Sequence, residues 1–376
     1  MKNDMLGLIF AENPEVSLGE LASIRSLAAV PVGGRYRIID FMLSNIVNSH
    51  MFKAGITAPH NYQSLTDHLG TGKDWDMDRK DNGLFILPPR ETADSSANGT
   101  SGIDVLHGAM PFLEKSRQEY VLVADCNTIC NMSFNEPLEF HEENEADITV
   151  IYAKVKKLPK CELKRHILLN IDDENRVSDV QVYPTVQKSD CSYMHMFIIK
   201  RTFLMELIND AVAHGKHSIS KDIFLPFISK LKICAYEYTG YLKKIDSIKS
   251  YFEFNLELLK KDVRDELFGT NTDSPIYTKV KDTIPTKYAI NNDVSNSFIA
   301  DGCIIEGTVK NSILFRGVHI GKGAKVENCI LMQDSEIMDN CLLENVIFDK
   351  EVVLRSGKKL VGQDTYPMVI SKHTTV

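Results

Sequence analysis

The C-terminal quarter of the chain repeats with a period of 17 residues, which constrains its fold more than any other feature. Single aliphatic residues about six positions apart, with Gly, Asn or Asp at the corners, predict a parallel β-helix with three short faces per coil. An ordinary β-sandwich would not keep a fixed period. The repeating positions are Asn311–Leu314, Asn328–Leu331 and Asn345–Phe348 after an irregular copy at Asn296–Ile299, then Ile320, Ile337 and Leu354, and Val326, Leu343 and Leu360.

The remaining N-terminal part alternates predicted strands and helices. This alternation is typical of an α/β domain with a Rossmann-like, mostly parallel sheet. Strands are predicted at Met5–Phe10, 54–63 (with a turn), Tyr120–Asp125, Ile148–Val155, His166–Ile171, Val177–Val180 and Tyr193–Ile199. Helices are predicted after Ile38, over about 103–115, from Ser218, and as one long helix carrying Phe252 to Leu267. A flexible, exposed loop is predicted over 95–102.

A Gly-, Asn- and Ser-containing stretch ending in Pro275 separates the two patterns. We therefore predict an α/β domain over residues 1–268, a linker over 269–285 and a β-helix domain over 286–376.

Charge and composition exclude several classes of protein. A net charge of -8 and a pI near 5.8 argue against nucleic acid or an anionic membrane as a partner. The first apolar run, Met5–Phe10, is too short and too close to acidic residues for a signal peptide, and no run reaches membrane-spanning length. The eight scattered cysteines show no C-x-x-C spacing, so we expect neither zinc nor disulfides, and a cytoplasmic protein.

Two local features are candidates for chemistry. Gly33 and Gly34, beside Arg35 and Arg37, could let backbone N–H groups approach an anion, or could form a structural turn with surface arginines. Asp125 ends a buried strand, where parallel sheets place ligands and metals, although such a residue is as often a cap or turn. The residues alone leave both alternatives open.

Several segments together resemble the ADP-glucose pyrophosphorylase (glucose-1-phosphate adenylyltransferase) family. The resemblance implies a nucleotidyltransferase-type α/β domain, a left-handed parallel β-helix domain and assembly as tetramers. It also implies a reaction that converts glucose-1-phosphate and ATP into ADP-glucose and pyrophosphate for glycogen synthesis. The segments are Ala29–Phe41, Leu43–Asn45, Asn48–Ser49, Gly72–Asp76, Ile86–Pro89 and Ser250–Glu253 with Asn255.

The chain departs from this family where the family places its chemistry. A Gly-Gly-x-Gly-x-Arg loop for the triphosphate is replaced by Ala11–Pro14 and an acidic run. Leu27 and Tyr183 stand where the family has lysines, and Lys244 stands where it has its second metal-binding aspartate. His195 replaces a glycine that faces the sugar. Losing one charge-stabilising group costs roughly 3 kcal/mol of the barrier, and here several are lost together.

The resemblance therefore implies a degraded site. We expect no catalytic residues, with Asp125 as a vestigial metal ligand and no bound cofactor; Mg²⁺ would act in a catalytic partner. Residual substrate contacts are expected from Gly33, Gly34, Arg35, Arg37 and Gln63. From the residues themselves, we interpret Arg35, Arg37 and Asp40 as intramolecular pairs. His195, His60 and His68 are interpreted as packed histidines, and Lys243 and Lys244 as either solvated or paired with an acid of the former metal site.

Three hypotheses follow. The first is a non-catalytic or weakly catalytic regulatory subunit that resembles GlgD-type glycogen biosynthesis proteins. It would modulate a homologous catalytic subunit in a hetero-oligomer, as a tetramer, with self-association as a further option. The second is an independently active sugar-phosphate nucleotidyltransferase of altered specificity that uses Asp125. The third is a sensor that binds an effector without turnover.

Overall fold

The computed structural model describes residues 4–13, 16–58, 61–88, 102–269, 274–290 and 292–376. The N-terminal part, here called the α/β region, is built on a nine-stranded sheet ordered β7-β6-β8-β4-β1-β2-β3, with β5 against β8 and β9 against β5. The strands are β1 Met5–Phe10, β2 Lys53–Thr57, β3 Gly83–Leu87, β4 Tyr120–Asp125, β5 Ile148–Lys154, β6 Ile167–Ile171, β7 Val177–Val182, β8 Cys191–Lys200 and β9 Ile233–Glu237.

The sheet is mostly parallel, as predicted. Strands β1 to β4 pair in parallel, and only β8 and β7 run against the common direction. All residues of β1 are buried, and successive side chains enter opposite cores: Met5 and Ile9 on one face, Leu6 and Leu8 on the other. A continuous apolar run is what a strand covered on both faces requires.

Two of the predicted helices are each divided in two. The segment 103–115 forms α3 and α4, because Pro111 lies at the start of the second helix and has no N–H to continue the first. The segment carrying Phe252 to Leu267 forms α7 and α8, separated by Lys260 in an extended conformation. The helices are α1 Ile38–Asn48, α2 Gln63–Leu69, α3 Gly102–Gly108, α4 Met110–Glu114, α5 Asn135–Glu143, α6 Arg201–Ala213, α7 Ile248–Glu257 and α8 Lys261–Leu267.

Shorter elements complete the α/β region. A π-helical turn covers Ile219–Phe224, where a helix was expected from Ser218. Two-stranded ribbons pair Pro31–Val32 with Tyr36–Arg37 and Thr128–Ile129 with Lys243–Lys244. Short helical segments lie at Gly19–Ala22, Leu27–Ala29, Lys73–Trp75, Lys160–Leu163 and Leu225–Phe227. Residues 95–101 of the predicted loop lie outside the described residues, as does His60.

The C-terminal part, here called the coil region, is a parallel β-helix with three sheets of five short strands. The first sheet is Lys287–Tyr288, Ile304–Ile305, His319–Ile320, Glu336–Ile337 and Val353–Leu354. The second is Asp293–Ser295, Thr308–Lys310, Lys325–Glu327, Leu342–Glu344 and Lys359–Val361. The third is Phe298–Ile299, Ile313–Leu314, Ile330–Leu331, Val346–Phe348 and Met368–Ile370.

The asparagine that begins each repeat turns a corner of the coil. Asn311, Asn328 and Asn345 have φ of 47°, 49° and 54°, in the left-handed region that asparagine tolerates better than most residues. The 17-residue period therefore reflects the left-handed backbone conformation of these asparagines as well as the spacing of the aliphatic residues.

The middle three strands of the third sheet are buried on both faces, and the outer face of the sheet joins the two regions. Leu314, Leu331 and Phe348 fill the interior of the coil, whereas Ile313 and Ile330 pack into the core of the α/β region. We call this contact the seam. Alternation along two-residue strands is enough to supply both cores, because neighbouring side chains point to opposite faces.

A buried ion pair and the Gly-Gly turn also belong to the seam. Both guanidinium nitrogens of Arg25 donate to Asp349, each at 2.9 Å, and both side chains are almost fully buried. Gly34, at a φ of 81°, lies against Phe298 of the coil region. Within the described part of the chain, no helix combines the length and hydropathy needed to cross a membrane.

Candidate functional site

A cleft of about 740 Å³ opens beside the ribbon that holds Lys244. Its walls come from both regions: Thr128, Arg165, His166 and Tyr193 from the α/β region, and Tyr366 from the coil region. Ligand pockets are commonly of this size. Its position near the carboxyl end of β4 is where parallel sheets bind ligands.

Asp125, the last residue of β4, is engaged by protein groups. The Nδ2 of Asn13, from the loop after β1, donates to its Oδ2 at 2.7 Å, and Nδ1 of His195 lies 3.3 Å from the same oxygen. Burial, and then the neighbouring Lys244, hold the pKa of His195 well below its usual value, so the imidazole is neutral. Because the ammonium of Lys244 can only donate, Nε2 of this neutral imidazole is the acceptor and the ring proton is on Nδ1.

Lys244 completes this network. Its ammonium donates to Nε2 of His195 at 3.1 Å and to the carbonyl of Arg165 at 3.1 Å. Lys243 points away from the network, to the carboxylates of Glu253 and Glu257 on α7. The sequence left two interpretations of this lysine pair, solvated or paired with an acid of the former metal site. In the structure, Lys243 pairs with acids outside that site. Lys244 is linked to Asp125 through His195.

These groups do not fit the divalent metal that the resemblance implies. Mg²⁺ requires oxygen ligands in near-octahedral geometry, and one or two carboxylates usually supply them. Here Asp125 is bonded to Asn13 and lies beside His195, and the position of the second carboxylate holds an ammonium. Among the residues that the structure describes, no three His, Cys, Asp or Glu side chains are grouped to hold a metal ion.

The other substituted positions are distributed between the cleft and the surrounding protein. Glu20, from the acidic loop after β1, lines it, whereas Leu27 is buried in the core. Tyr183 adopts a φ of 53°, and the ammonium of Lys221 lies 5.5 Å from its ring centre. Leu27 and Tyr183 stand where lysines are expected to bind phosphate groups. An apolar side chain and an aromatic side chain therefore replace two expected cations.

Three of the cations that line the cleft are paired with acids, whereas Lys244 donates to His195 and to the carbonyl of Arg165. Arg165 donates to Asp246 at 3.1 Å, and Lys249 lies within 4 Å of Glu162 and Glu253. His166 is bonded to Ser192, and burial lowers its pKa to about 4. The cleft therefore carries little uncompensated positive charge for a triphosphate.

The predicted substrate-binding residues of the Gly-Gly-Arg turn lie elsewhere. Gly34, Arg35 and Arg37 line a separate pocket of about 240 Å³ at the seam, here called the basic pocket. Its other ionisable lining residues are Asp67, His68, Lys279, Lys281, Arg316 and Lys350. Gln63 begins α2, where its amide donates to Asp67. The structure thus does not bring this set together with Asp125.

The cations of the basic pocket repel one another and are partly buried, and both effects disfavour their protonated forms. Burial, with Arg37 and Arg25 nearby, lowers the pKa of Lys350 to about 8, and burial lowers that of Arg37 to about 10. Six Lys and Arg side chains and one aspartate line this space, so an anion would relieve the repulsion. Arg37 also donates to the carbonyl and hydroxyl of Ser64, as expected for an intramolecular role.

Comparison with known proteins decides the family. Residues 18–261 match the family described as Nucleotidyl transferase, and residues 283–367 match that described as GlmU-like, C-terminal hexapeptide. The chain is 36% identical to the glycogen biosynthesis protein GlgD of Bacillus subtilis (strain 168), over 98% of this chain and 96% of that protein. It belongs to the glucose-1-phosphate adenylyltransferase family.

Other relatives in the family carry two kinds of name. A GlgD protein of Geobacillus stearothermophilus is 39% identical over 87% of this chain and 84% of its own length. A glucose-1-phosphate adenylyltransferase of Thermosipho africanus is 36% identical over 87% of this chain and 78% of its own length. The resemblance predicted from the motifs is thereby confirmed.

Sequence reasoning missed the residues that complete both sites. Lys279, Arg316 and Lys350 join Arg37 only in the folded chain, and no local motif in the sequence marks them. Asn13 was read as part of an acidic loop, but its amide binds Asp125. The paired Arg25 and Asp349 lie 324 positions apart, beyond the reach of any local pattern.

Proposed function

We propose that this protein is a non-catalytic or weakly catalytic regulatory subunit of ADP-glucose pyrophosphorylase that acts in cytoplasmic glycogen biosynthesis. It would modulate a homologous catalytic subunit within a hetero-oligomer, as a tetramer, and Mg²⁺ would act in that partner. The observation that carries the proposal is the network of Asn13, His195 and Lys244 around Asp125. Nucleotidyl transfer depends on positioning and on charge stabilisation by metal and cations, which this network does not provide.

The intact seam supports the same proposal. Gly34 packs on the coil and Arg25 pairs with Asp349 across the seam, while Gly33 donates its N–H to Asn255 within the α/β region, so the groups at and beside the seam are satisfied. This chain has lost the groups expected for the reaction but keeps the contacts that hold its two regions together. Such a chain is suited to assembly with a related chain.

The basic pocket supports the regulatory part. An anionic small molecule, such as a phosphorylated metabolite, would contact Arg37 of one region and Arg316 and Lys350 of the other. Binding there would bridge the seam and so could be transmitted to a neighbouring subunit.

The decisive experiment mixes this protein with the catalytic glucose-1-phosphate adenylyltransferase of the same cell. We expect little pyrophosphate release by this protein alone, co-elution of the two chains from a sizing column, and a changed rate or effector response of the mixture. Separate elution with unchanged kinetics would refute the proposal. In the mixture, Arg316→Ala with Lys350→Ala should weaken any response to a phosphorylated effector, whereas Lys372→Ala with Lys287→Ala, outside the pocket, should not.

The open cleft favours a second candidate, an active sugar-phosphate nucleotidyltransferase of altered specificity. Release of pyrophosphate from a nucleoside triphosphate and a sugar phosphate by this protein alone, abolished by Asp125→Asn, would establish it. Activity that survives Asp125→Asn would point to a contaminating enzyme.

A further inference from the structure

His195 holds a backbone conformation that a histidine adopts only at a cost. Its φ is 57°, in the middle of β8, where the pairing with β5 shifts register between Tyr193 and Phe197. Glycine is the usual residue at such a position because it has no Cβ. A strained residue in the interior of a sheet persists where surrounding contacts hold it, and such residues cluster at functional sites.

His195 contacts both Asp125 and Lys244, and its ring stacks on that of Tyr193. Its two ring nitrogens lie 3.3 Å from the Asp125 carboxylate and 3.1 Å from the Lys244 ammonium. The imidazole therefore spans the gap between the carboxylate and the ammonium and connects them.

The ammonium of Lys244 is fixed in place by the elements around it. Lys244 pairs with Thr128 in the two-stranded ribbon, and the hydroxyl of Thr128 donates to the carbonyl of Met194, next to His195. The carbonyl of Arg165 accepts a further hydrogen bond from the ammonium. A positive charge is thus held near Asp125 without any added ion.

We propose that His195 and Lys244 are a built-in substitute for the divalent cation, and that they exclude metal from Asp125. The ammonium supplies the positive charge and the imidazole occupies the space beside the carboxylate. A divalent ion at Asp125 would have to displace the imidazole and would be repelled by the ammonium. The inference concerns this chain alone and holds whether or not a partner subunit exists.

The test is titration with Mn²⁺, followed by its electron paramagnetic resonance signal and by calorimetry. Wild type should bind Mn²⁺ at Asp125 weakly at most. The double variant His195→Gly with Lys244→Asp removes the imidazole, relieves the backbone strain and creates a second carboxylate. It should bind Mn²⁺ at least about tenfold more tightly than wild type, because an adjacent repulsive charge becomes attractive.

Two controls make the result specific. Adding Asp125→Asn to the double variant should abolish the gain. His373→Gly with Lys287→Asp repeats the same chemical changes elsewhere, since His373 also has a positive φ, of 60°, and should bind no better than wild type. A folded double variant that fails to bind Mn²⁺, or a wild type that binds equally well at Asp125, overturns the inference.

Folding of the variants is measured at the same time. Thermal unfolding with and without Mn²⁺ should show a metal-dependent rise in Tm for the double variant and none for wild type, because a ligand of the folded state stabilises it. If the double variant does not fold, Mn²⁺ binding is measured with Lys244→Asp alone, which keeps the imidazole. It should bind Mn²⁺ better than wild type, and no gain in this variant would also contradict the inference.

Discussion

The seam and the cleft both remove charged groups from bulk water, but they do so differently. At the seam, Arg25 and Asp349 are almost fully buried and form two hydrogen bonds directly with each other. At the cleft, a partly exposed neutral imidazole separates Asp125 from Lys244. At the seam, the two charges are paired directly, and removing either residue would leave the other charge buried alone. In the cleft, the network is looser, and one of its residues can be exchanged at a smaller cost. Four measurements test whether the seam and the cleft differ in this way.

The largest effect is expected from Asp349→Ala. Removing one partner leaves the Arg25 guanidinium buried without its carboxylate, which costs about 3–5 kcal/mol of unfolding free energy. Urea unfolding monitored by circular dichroism measures this loss. The paired variant Arg25→Met with Asp349→Leu, which removes both charges, should recover most of it. An effect below about 1 kcal/mol would show that the seam is no stronger than a surface pair.

Acidification tests the cleft through His166, whose pKa burial lowers to about 4 from 6.5. The folded protein keeps this imidazole neutral, while the unfolded chain takes up a proton near pH 6.5. Stability therefore falls as the pH drops from 6.5 towards 4, by about 2 kcal/mol for this partly exposed group.

The measurement is the unfolding free energy of wild type and His166→Gln between pH 7 and pH 4. The variant should lose less stability than wild type on acidification. His141 lies outside the cleft on α5, and burial likewise lowers its pKa to about 4, so His141→Gln provides the comparison. Parallel pH curves for wild type and His166→Gln would rule out a neutral histidine in the cleft wall.

Asn255→Leu tests the scaffold next to the seam. The side-chain oxygen of Asn255 accepts the N–H of Gly33 at 2.9 Å, and both groups are buried. A leucine of similar volume leaves that N–H unsatisfied, at a cost of about 2 kcal/mol. Chemical denaturation measures it, and a change within the error of wild type would mean that the turn does not need this bond.

The smallest effect is expected from Lys244→Met. The ammonium is partly exposed, and its loss leaves Asp125 bonded to Asn13. We expect a change of less than about 1 kcal/mol in unfolding free energy. A loss as large as that of Asp349→Ala would mean that the cleft is as essential to the fold as the seam.

The fold could be predicted from the sequence because its signals are local and periodic. The apolar run of β1 reflects burial on both faces, and the 17-residue repeat reflects corner asparagines together with the aliphatic residues that fill the coil. Helix ends were less predictable, since Pro111 and an extended Lys260 interrupt continuous apolar patterns.

The candidate site was only partly predictable. The sequence indicated that Leu27, Tyr183 and Lys244 replace family residues, but it gave no partners for them. That the Asn13 amide binds Asp125, and that Arg37 meets Lys350 across the seam, depends on how distant segments pack. Such contacts carry no spacing rule, so only the folded chain shows them.

The 324-residue separation of Arg25 and Asp349 has a consequence for biosynthesis. A ribosome adds Asp349 324 residues after Arg25, and the strands of the third sheet are also made after the whole α/β region. Until the coil region is made, the nascent α/β region exposes the apolar surface and the Arg25 guanidinium that the coil region later covers. Chains with such late contacts fold slowly and aggregate readily, so this protein should depend on chaperones during translation and should tolerate C-terminal truncation poorly.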